Sequence, residues 1–360
     1  MKRLLPVSII ICVALASCGS GGSSAVNEKE KQTTLTDLQQ DRLSGKVLSV
    51  RQRVYWALEK FGRMEKGKLQ NLPVQDYLKV YDDDGYLMEE IHYDATDKVV
   101  SRKVITYGQK HLMAQEENYK ENTLSERIMY TYDEKNRLMK KEKFDGAGKT
   151  KEWIQYLYGS NGLVEDEDWY KADGALNCKF IHEYDNDLQL KEKRKYWGGG
   201  SLAQREYFYY DNGNLSETVS EKHKDKLPTF DYRYVFAAYD SYGDYGERTQ
   251  YNEDGDVLQT TKQTFNNLGH LTEYYTITVK QVPMKIEIAA MEESEEEVED
   301  LDTGDEIMTA IEEYAGQAYE YAYDEQNNWV QRITYKLSGN DIDELKRERQ
   351  FYYERIIGYK

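Results

Sequence analysis

Few residues in this chain have the type and spacing to do chemistry, and the clearest is a cysteine near the start. Leu15-Ala-Ser-Cys18 closes an apolar stretch, Leu4 to Ala14, that follows Lys2 and Arg3. A positive start, a short apolar run and small residues before a cysteine make a bacterial signal segment ending in a lipobox. Cleavage before Cys18 would leave an N-terminal cysteine able to carry lipid. The apolar run is too short to stay in a bilayer as a spanning helix. Gly19 stands where an Asp would signal retention at the inner membrane, so the outer membrane is expected, at its surface or periplasmic face.

Two further sets could bind. Trp153, Trp169 and Trp197 fall in adjacent stretches of similar pattern, and flat aromatic faces can stack on sugar rings. The plainer reading is that they pack in aromatic ladders. Asp300, Asp302 and Asp305 surround Gly304 in an acidic run, Glu292 to Glu306, and calcium takes oxygen ligands of this kind. Their spacing does not match the EF-hand loop, and a solvated acidic loop is the plainer reading.

Catalytic signatures fail one by one. Gly146-Ala-Gly-Lys-Thr150 ends like a phosphate-binding loop, but Lys143 stands where the motif needs its first glycine. His182-Glu183 lacks a second histidine, since Asn186 occupies the required position. The five histidines show no metal-ligand spacing. Cys178 sits mid-arm where other stretches place ordinary residues, and Asp166 with Asp168 reads as a charged face. No enzyme activity, metal or cofactor is expected.

The elements that would position these residues come from a repeat. Tyr81, Tyr107, Tyr132, Tyr158, Tyr184, Tyr210 and Tyr239 open units of about 26 residues, and Phe265 continues the series. Fixed-period self-similarity marks a repeat architecture. An apolar residue recurs six after the tyrosine at Leu87, Met113, Leu138, Val164 and Leu190. Turn residues such as Tyr81-Asp-Asp-Asp-Gly85 and Tyr251-Asn-Glu-Asp-Gly255 open each arm, and short arms rich in Tyr, Ile and Val read as strands. Each unit is then one antiparallel hairpin. Alternate residues share a sheet face, which predicts a packed face of Ile128, Tyr130, Tyr132; Ile154, Tyr156, Tyr158; and Phe180, His182, Tyr184. The first arms are charged on both faces, as in Lys140-Lys-Glu-Lys143 and Lys191-Glu-Lys-Arg194. That suits a thin, solvated sheet, and it lacks the outward apolar band of a membrane barrel.

Tyr81-Asp82 with Gly85 and Leu87, Tyr132-Asp133 with Leu138, Tyr184-Asp185 with Leu190, and Tyr210-Asp211 with Gly213 and Leu215 resemble the YD-repeat (RHS-type) family. Tyr321-Ala-Tyr-Asp324, Asn328-Trp329, Arg332 and Arg349-Gln-Phe-Tyr-Tyr353 resemble the last unit of RHS-repeat lipoproteins from Bacteroidetes-like bacteria, and Leu43-Ser-Gly-Lys-Val-Leu-Ser-Val50 resembles their entry segment. Large members wind such strands into hollow shells around a toxin. Here roughly eight to nine units are expected, too few for a shell.

The expected fold is therefore all-β: tandem antiparallel hairpin repeats in an elongated sheet, twisted or partly spiralled. The expected organisation is a signal peptide over 1–17 and a lipidated cysteine with a flexible tether over 18–42. A capping hairpin follows over 43–80, then repeats over 81–280, an insertion with the acidic loop over 281–320, and a capping repeat over 321–360. A formal net charge of −18 argues against nucleic acid as a partner, but 33 tyrosines are too many for a disordered acidic chain. The expected role is a lipid-anchored, non-enzymatic envelope module that binds or scaffolds a protein or glycan. An accessory of toxin or effector export is the alternative that the resemblance implies, and an envelope hydrolase is a third. The sequence leaves the oligomeric state open.

Overall fold

The computed structural model describes residues 35–283 and 308–360, apart from 73, 225–226 and 241–242. Within them, a short helix α1 (Asp37–Gln40) precedes twenty-one strands. The first three are β1 (Val47–Lys60), β2 (Arg63–Leu69) and β3 (Tyr77–Tyr81). Next come β4 (Leu87–Tyr93), β5 (Val99–Tyr107), β6 (Met113–Lys120), β7 (Thr123–Tyr132), β8 (Leu138–Asp145) and β9 (Thr150–Tyr158). They continue with β10 (Val164–Lys171), β11 (Leu176–Tyr184), β12 (Leu190–Trp197), β13 (Leu202–Asp211), β14 (Asn214–Lys224) and β15 (Leu227–Ala237). The last are β16 (Glu247–Tyr251), β17 (Val257–Phe265), β18 (Leu271–Pro283), β19 (Met308–Tyr323), β20 (Trp329–Gly339) and β21 (Lys346–Tyr359).

The aspartate after Tyr81, Tyr132, Tyr184 and Tyr239 builds the turn. Asp133 Oδ1 accepts from the backbone N–H of Lys135 at 2.8 Å and of Arg137 at 2.9 Å. Asn136, at φ 62°, supplies the left-handed residue that lets the chain reverse. Gly162 does so in the turn that follows Tyr158, where a side chain would be strained.

The tyrosine joins one unit to the one before it. Its hydroxyl donates to the carbonyl of the earlier unit's apolar residue: Tyr132 to Met113 at 2.9 Å, Tyr158 to Leu138 at 2.8 Å and Tyr184 to Val164 at 2.9 Å. Tyr107 does the same to Leu87 and Tyr321 to Leu271. Each accepting residue sits at a β-bulge opposite its own unit's aromatic residue, as Leu138 does opposite Tyr132. One side chain thus satisfies a backbone carbonyl that the disturbed ladder leaves over. This explains why the tyrosine and the apolar residue recur together.

The expected open sheet is overturned by the closure. One edge of β1 pairs with β21, from Val47 with Tyr359 to Trp56 with Phe351. Its other edge pairs with β3, from Ser49 with Val80 to Gln52 with Tyr77, and further along with β2. The strands from β3 to β21 pair in sequence order, so with β1 they form a closed antiparallel barrel of twenty strands, with β2 appended. The terminal segments do not cap two separate edges. They zip together, and no edge of the ring is left bare.

Followed once round the ring, the registers return to β1 displaced by roughly twenty residues, which implies a strand tilt of roughly 40° and a backbone diameter of about 40 Å for a round barrel. Side chains cannot fill such a ring. The buried clusters gather at the seam instead: Val47, Val50, Tyr81, Leu87 and Ile105 in one, Val54, Trp329 and Tyr353 in another, and Ala318, Ile333, Tyr335 and Leu337 in a third. Away from the seam, burial falls to single residues such as Ile128, Ile154, Cys178 and His182. These lie on the face that alternation predicts.

Candidate functional site

Residues 35–46 identify the lumen. Thr36 caps α1, and Asp37 accepts from the Leu87 N–H at 2.8 Å and the Tyr107 hydroxyl at 3.1 Å. Asp41 binds the Lys79 ammonium at 2.7 Å and the Tyr81 hydroxyl. The next residue, Arg42, pairs with Asp244 in the turn before β16. β3 and β16 are seven places apart round the ring, so a segment joining them runs across the inside of this mouth. Lys79 therefore faces the lumen, and so do its successive cross-strand neighbours Glu90, Lys103, Asn118 and Glu126. Ile128 and Tyr130 share that face.

The segment acts as a strap over the Tyr-Asp mouth. Leu38 and Leu43 pack on the first seam cluster. Burial, then Asp41, raises the Tyr81 hydroxyl far above its ordinary range, and Lys79 is raised because the Asp41 carboxylate outweighs its burial. Beneath the strap, Arg355 lies 3.5 Å over the Trp329 ring, and donates to Gln52 at 3.1 Å and to Tyr77 at 2.7 Å. Arg332 lies 4.0 Å over Tyr353. His270 touches the Tyr323 hydroxyl at 3.2 Å, and burial, with Arg42, Arg355 and Arg332 nearby, lowers its pKa to about 4.

On the open side, the lumen wall mixes aromatic and charged groups. His182, Lys193, Glu206, Ser220 and Tyr232 are successive cross-strand neighbours. The Tyr232 hydroxyl donates to Glu206, and Gln204 donates to Ser220 at 2.9 Å. His182 is buried, and burial lowers its pKa although Glu167 lies 3.5 Å away. Such a wall can hydrogen-bond and stack. Cys178 is no activated nucleophile, since burial raises its thiol pKa. Among the described residues, no three His, Cys, Asp or Glu side chains converge to hold a metal.

The three tryptophans do not form one platform. Trp169 and Trp197 flank Cys178 on the lumen face. Trp153 is on the outer face, stacked on Tyr170 at 3.8 Å with Lys140 over its ring at 4.6 Å. Asp166 and Asp168 are also outside, both near Lys179. Gly146–Thr150 is an ordinary hairpin turn organised by Asp145. Cys18, Asp300, Asp302 and Asp305 lie outside the described residues. Sequence reasoning expects one helical turn from Asp37 to Leu43, which α1 bears out, but missed its course across the mouth; its signals were the capping pair Thr36 and Gln39 and the alternation of Leu38 and Leu43 with Asp37, Asp41 and Arg42.

No known family profile matches the chain, and no curated protein does. Among solved structures, the chain is similar to the TcdB2-TccC3 complex with Cdc42, at 12% identity and a TM-score of 0.32, over 86% of this chain and 18% of that one. It is similar to TcdB2-TccC3 alone at 10% identity and a TM-score of 0.33, over 81% and 18%. A porin-like protein from Bacteroides uniformis is similar at 7% identity and a TM-score of 0.29, over 88% of this chain and 98% of that one. The chain thus spans about a fifth of the toxin-complex chains it resembles.

Proposed function

We propose that this chain is a water-filled, non-enzymatic binding barrel of the cell envelope, held at the outer membrane by lipid on Cys18 and not by its strands. It would be a small relative of YD-repeat proteins, with a protein or glycan as its ligand. The observation that carries this reading is the closed ring with charge on both faces. Lys140, Glu142, Asp166, Asp168 and Arg194 occupy the outer face, while Lys141, Lys193 and Glu206 occupy the lumen face. A basic side chain on the lipid face costs about 2–4 kcal/mol at the bilayer midplane, and acidic ones cost less. A ring this wide holds an aqueous interior.

The test is fractionation of Cys18→Ser. The variant should leave the membrane without detergent, keep its β-rich circular dichroism and lose label from a palmitate analogue. A folded variant that still needed detergent for release would overturn the reading.

A further inference from the structure

We infer that the lumen wall beneath the strap holds a carboxylate-binding site, built from Arg332 on β20 and Arg355 on β21. The inference rests on the binding-barrel reading and adds a ligand class and a place. Both arginines face the lumen. Arg355 is opposite Gln52, and Gln52 is opposite Tyr77, two residues before the lumen-facing Lys79. Tyr353, two residues before Arg355, is opposite Arg332. The two guanidinium groups converge on one ring. Arg355 lies 3.5 Å and Arg332 5.1 Å from the centroid of Trp329, so at most about 9 Å separates them.

What the pair lacks is a counter-charge. The chain carries 66 acidic residues against 48 basic ones, and arginines elsewhere find an acid: Arg194, Arg205 and Arg233 each pair with a glutamate on the outer face. Among the described residues, Arg332 and Arg355 have no ion-pair partner. Their cross-strand neighbours Tyr321, Tyr353 and Gln52 are uncharged. Asp41, the carboxylate that acts on Arg355, is already bound to Lys79 at 2.7 Å. The positive field reaches further, since both arginines help to lower the pKa of His270. Two like charges drawn together in a half-buried wall are costly until an anion joins them.

Donors are also left over. A guanidinium has five N–H groups to give. Arg355 donates to Gln52 and Tyr77, and its second Nη has no partner among the described residues. Arg332 meets the hydroxyls of Tyr321 and Tyr353, which themselves donate to the Leu271 carbonyl and to Gln75. Its Nε is buried with no hydrogen-bond partner among the described residues. Both arginines are half-buried, so part of each still opens on the lumen. A carboxylate takes a guanidinium edge through two parallel hydrogen bonds and brings the missing charge. A polyanion would be repelled by a chain of net charge −18, so the ligand is one that carries a single acid group. A free organic acid and an acidic sugar both offer that chemistry.

The experiment is thermal melting of the full chain with sodium glucuronate, sodium acetate or glucose, at one ionic strength held with sodium chloride. Glucuronate should raise the melting temperature saturably and glucose should not. A matching rise with acetate would mark a site for any small acid, and its absence a site for an acidic sugar. Arg332→Met should abolish the rise, yet melt no lower than the parent without ligand, which a purely structural role for Arg332 would not produce. Arg332→Lys keeps the charge without the fork and should need about tenfold more ligand. No rise with either acid, an equal rise with glucose, or a rise that Arg332→Met left untouched would overturn the site. So would a ligand-free Arg332→Met that melted lower. None of these results bears on the release of Cys18→Ser, so the barrel reading stands or falls separately.

Discussion

Ser44 and Asn328 meet through both polar atoms of the asparagine amide: Oδ1 accepts from the Ser44 N–H at 2.7 Å, and Nδ2 donates to the Ser44 carbonyl at 2.8 Å. Nδ2 also donates to the Tyr359 hydroxyl at 2.7 Å, and the residue is fully buried. One side chain from the last Tyr-Asp turn thus stands in for a strand partner of the strap. Asn328→Ala would strand these groups, at about 2–3 kcal/mol. A urea midpoint lowered to match, with new protease cuts within residues 35–46, is the expected outcome.

The tyrosine bond between units can be removed alone. Tyr158→Phe keeps the ring and deletes the donor to the Leu138 carbonyl. A loss of about 1 kcal/mol in urea unfolding is expected. Leu138→Met should cost less than that, because its carbonyl remains bonded.

His270 makes the seam sensitive to acid. Its pKa is near 4 in the folded chain against 6.5 in the unfolded one, so between those values the unfolded state binds more protons. Stability from this group is complete above pH 6.5 and falls as the pH drops toward 4. After allowance for solvent screening, about 1–2 kcal/mol should be lost by pH 4.5. His270→Phe should flatten that part of the urea midpoint against pH.

Cys178 should be inert while the ring is closed. It is 4% exposed and burial raises its thiol pKa. Iodoacetamide at pH 8 should leave the native chain unlabelled by intact-mass measurement and label it fully in urea.

Removing residues 346–360 would delete β21 and bare the facing edges of β20 and β1. Unpaired edges seek partners. Oligomers by light scattering are expected where the intact chain gives one defined species.

Much of the wall was legible because it is local. The aspartate turns, the strand lengths and the inward set Ile128, Ile154 and His182 follow from period and alternation alone. The closure was not legible. It depends on β1 meeting Tyr359 on one side and Val80 on the other, and nothing within Val47–Lys60 announces a partner some three hundred residues away. The tryptophans misled for a related reason. Trp153 and Trp169 sit in neighbouring strands in one repeated context, but pairing puts Trp153 opposite Tyr170 and Trp169 opposite Ile154, so they face opposite ways.

The ring has twenty strands and the repeat adds them in pairs. Duplicating or deleting one whole unit keeps every neighbour antiparallel, and the ring can shut again. Losing a single arm would set two neighbours running the same way, against the ladder. The unit of heredity is thus also the unit of calibre. A lineage of such proteins would step its bore by one hairpin at a time, roughly 4 Å in diameter per step. Ligand size would then be sorted by repeat number before any residue in the wall changed.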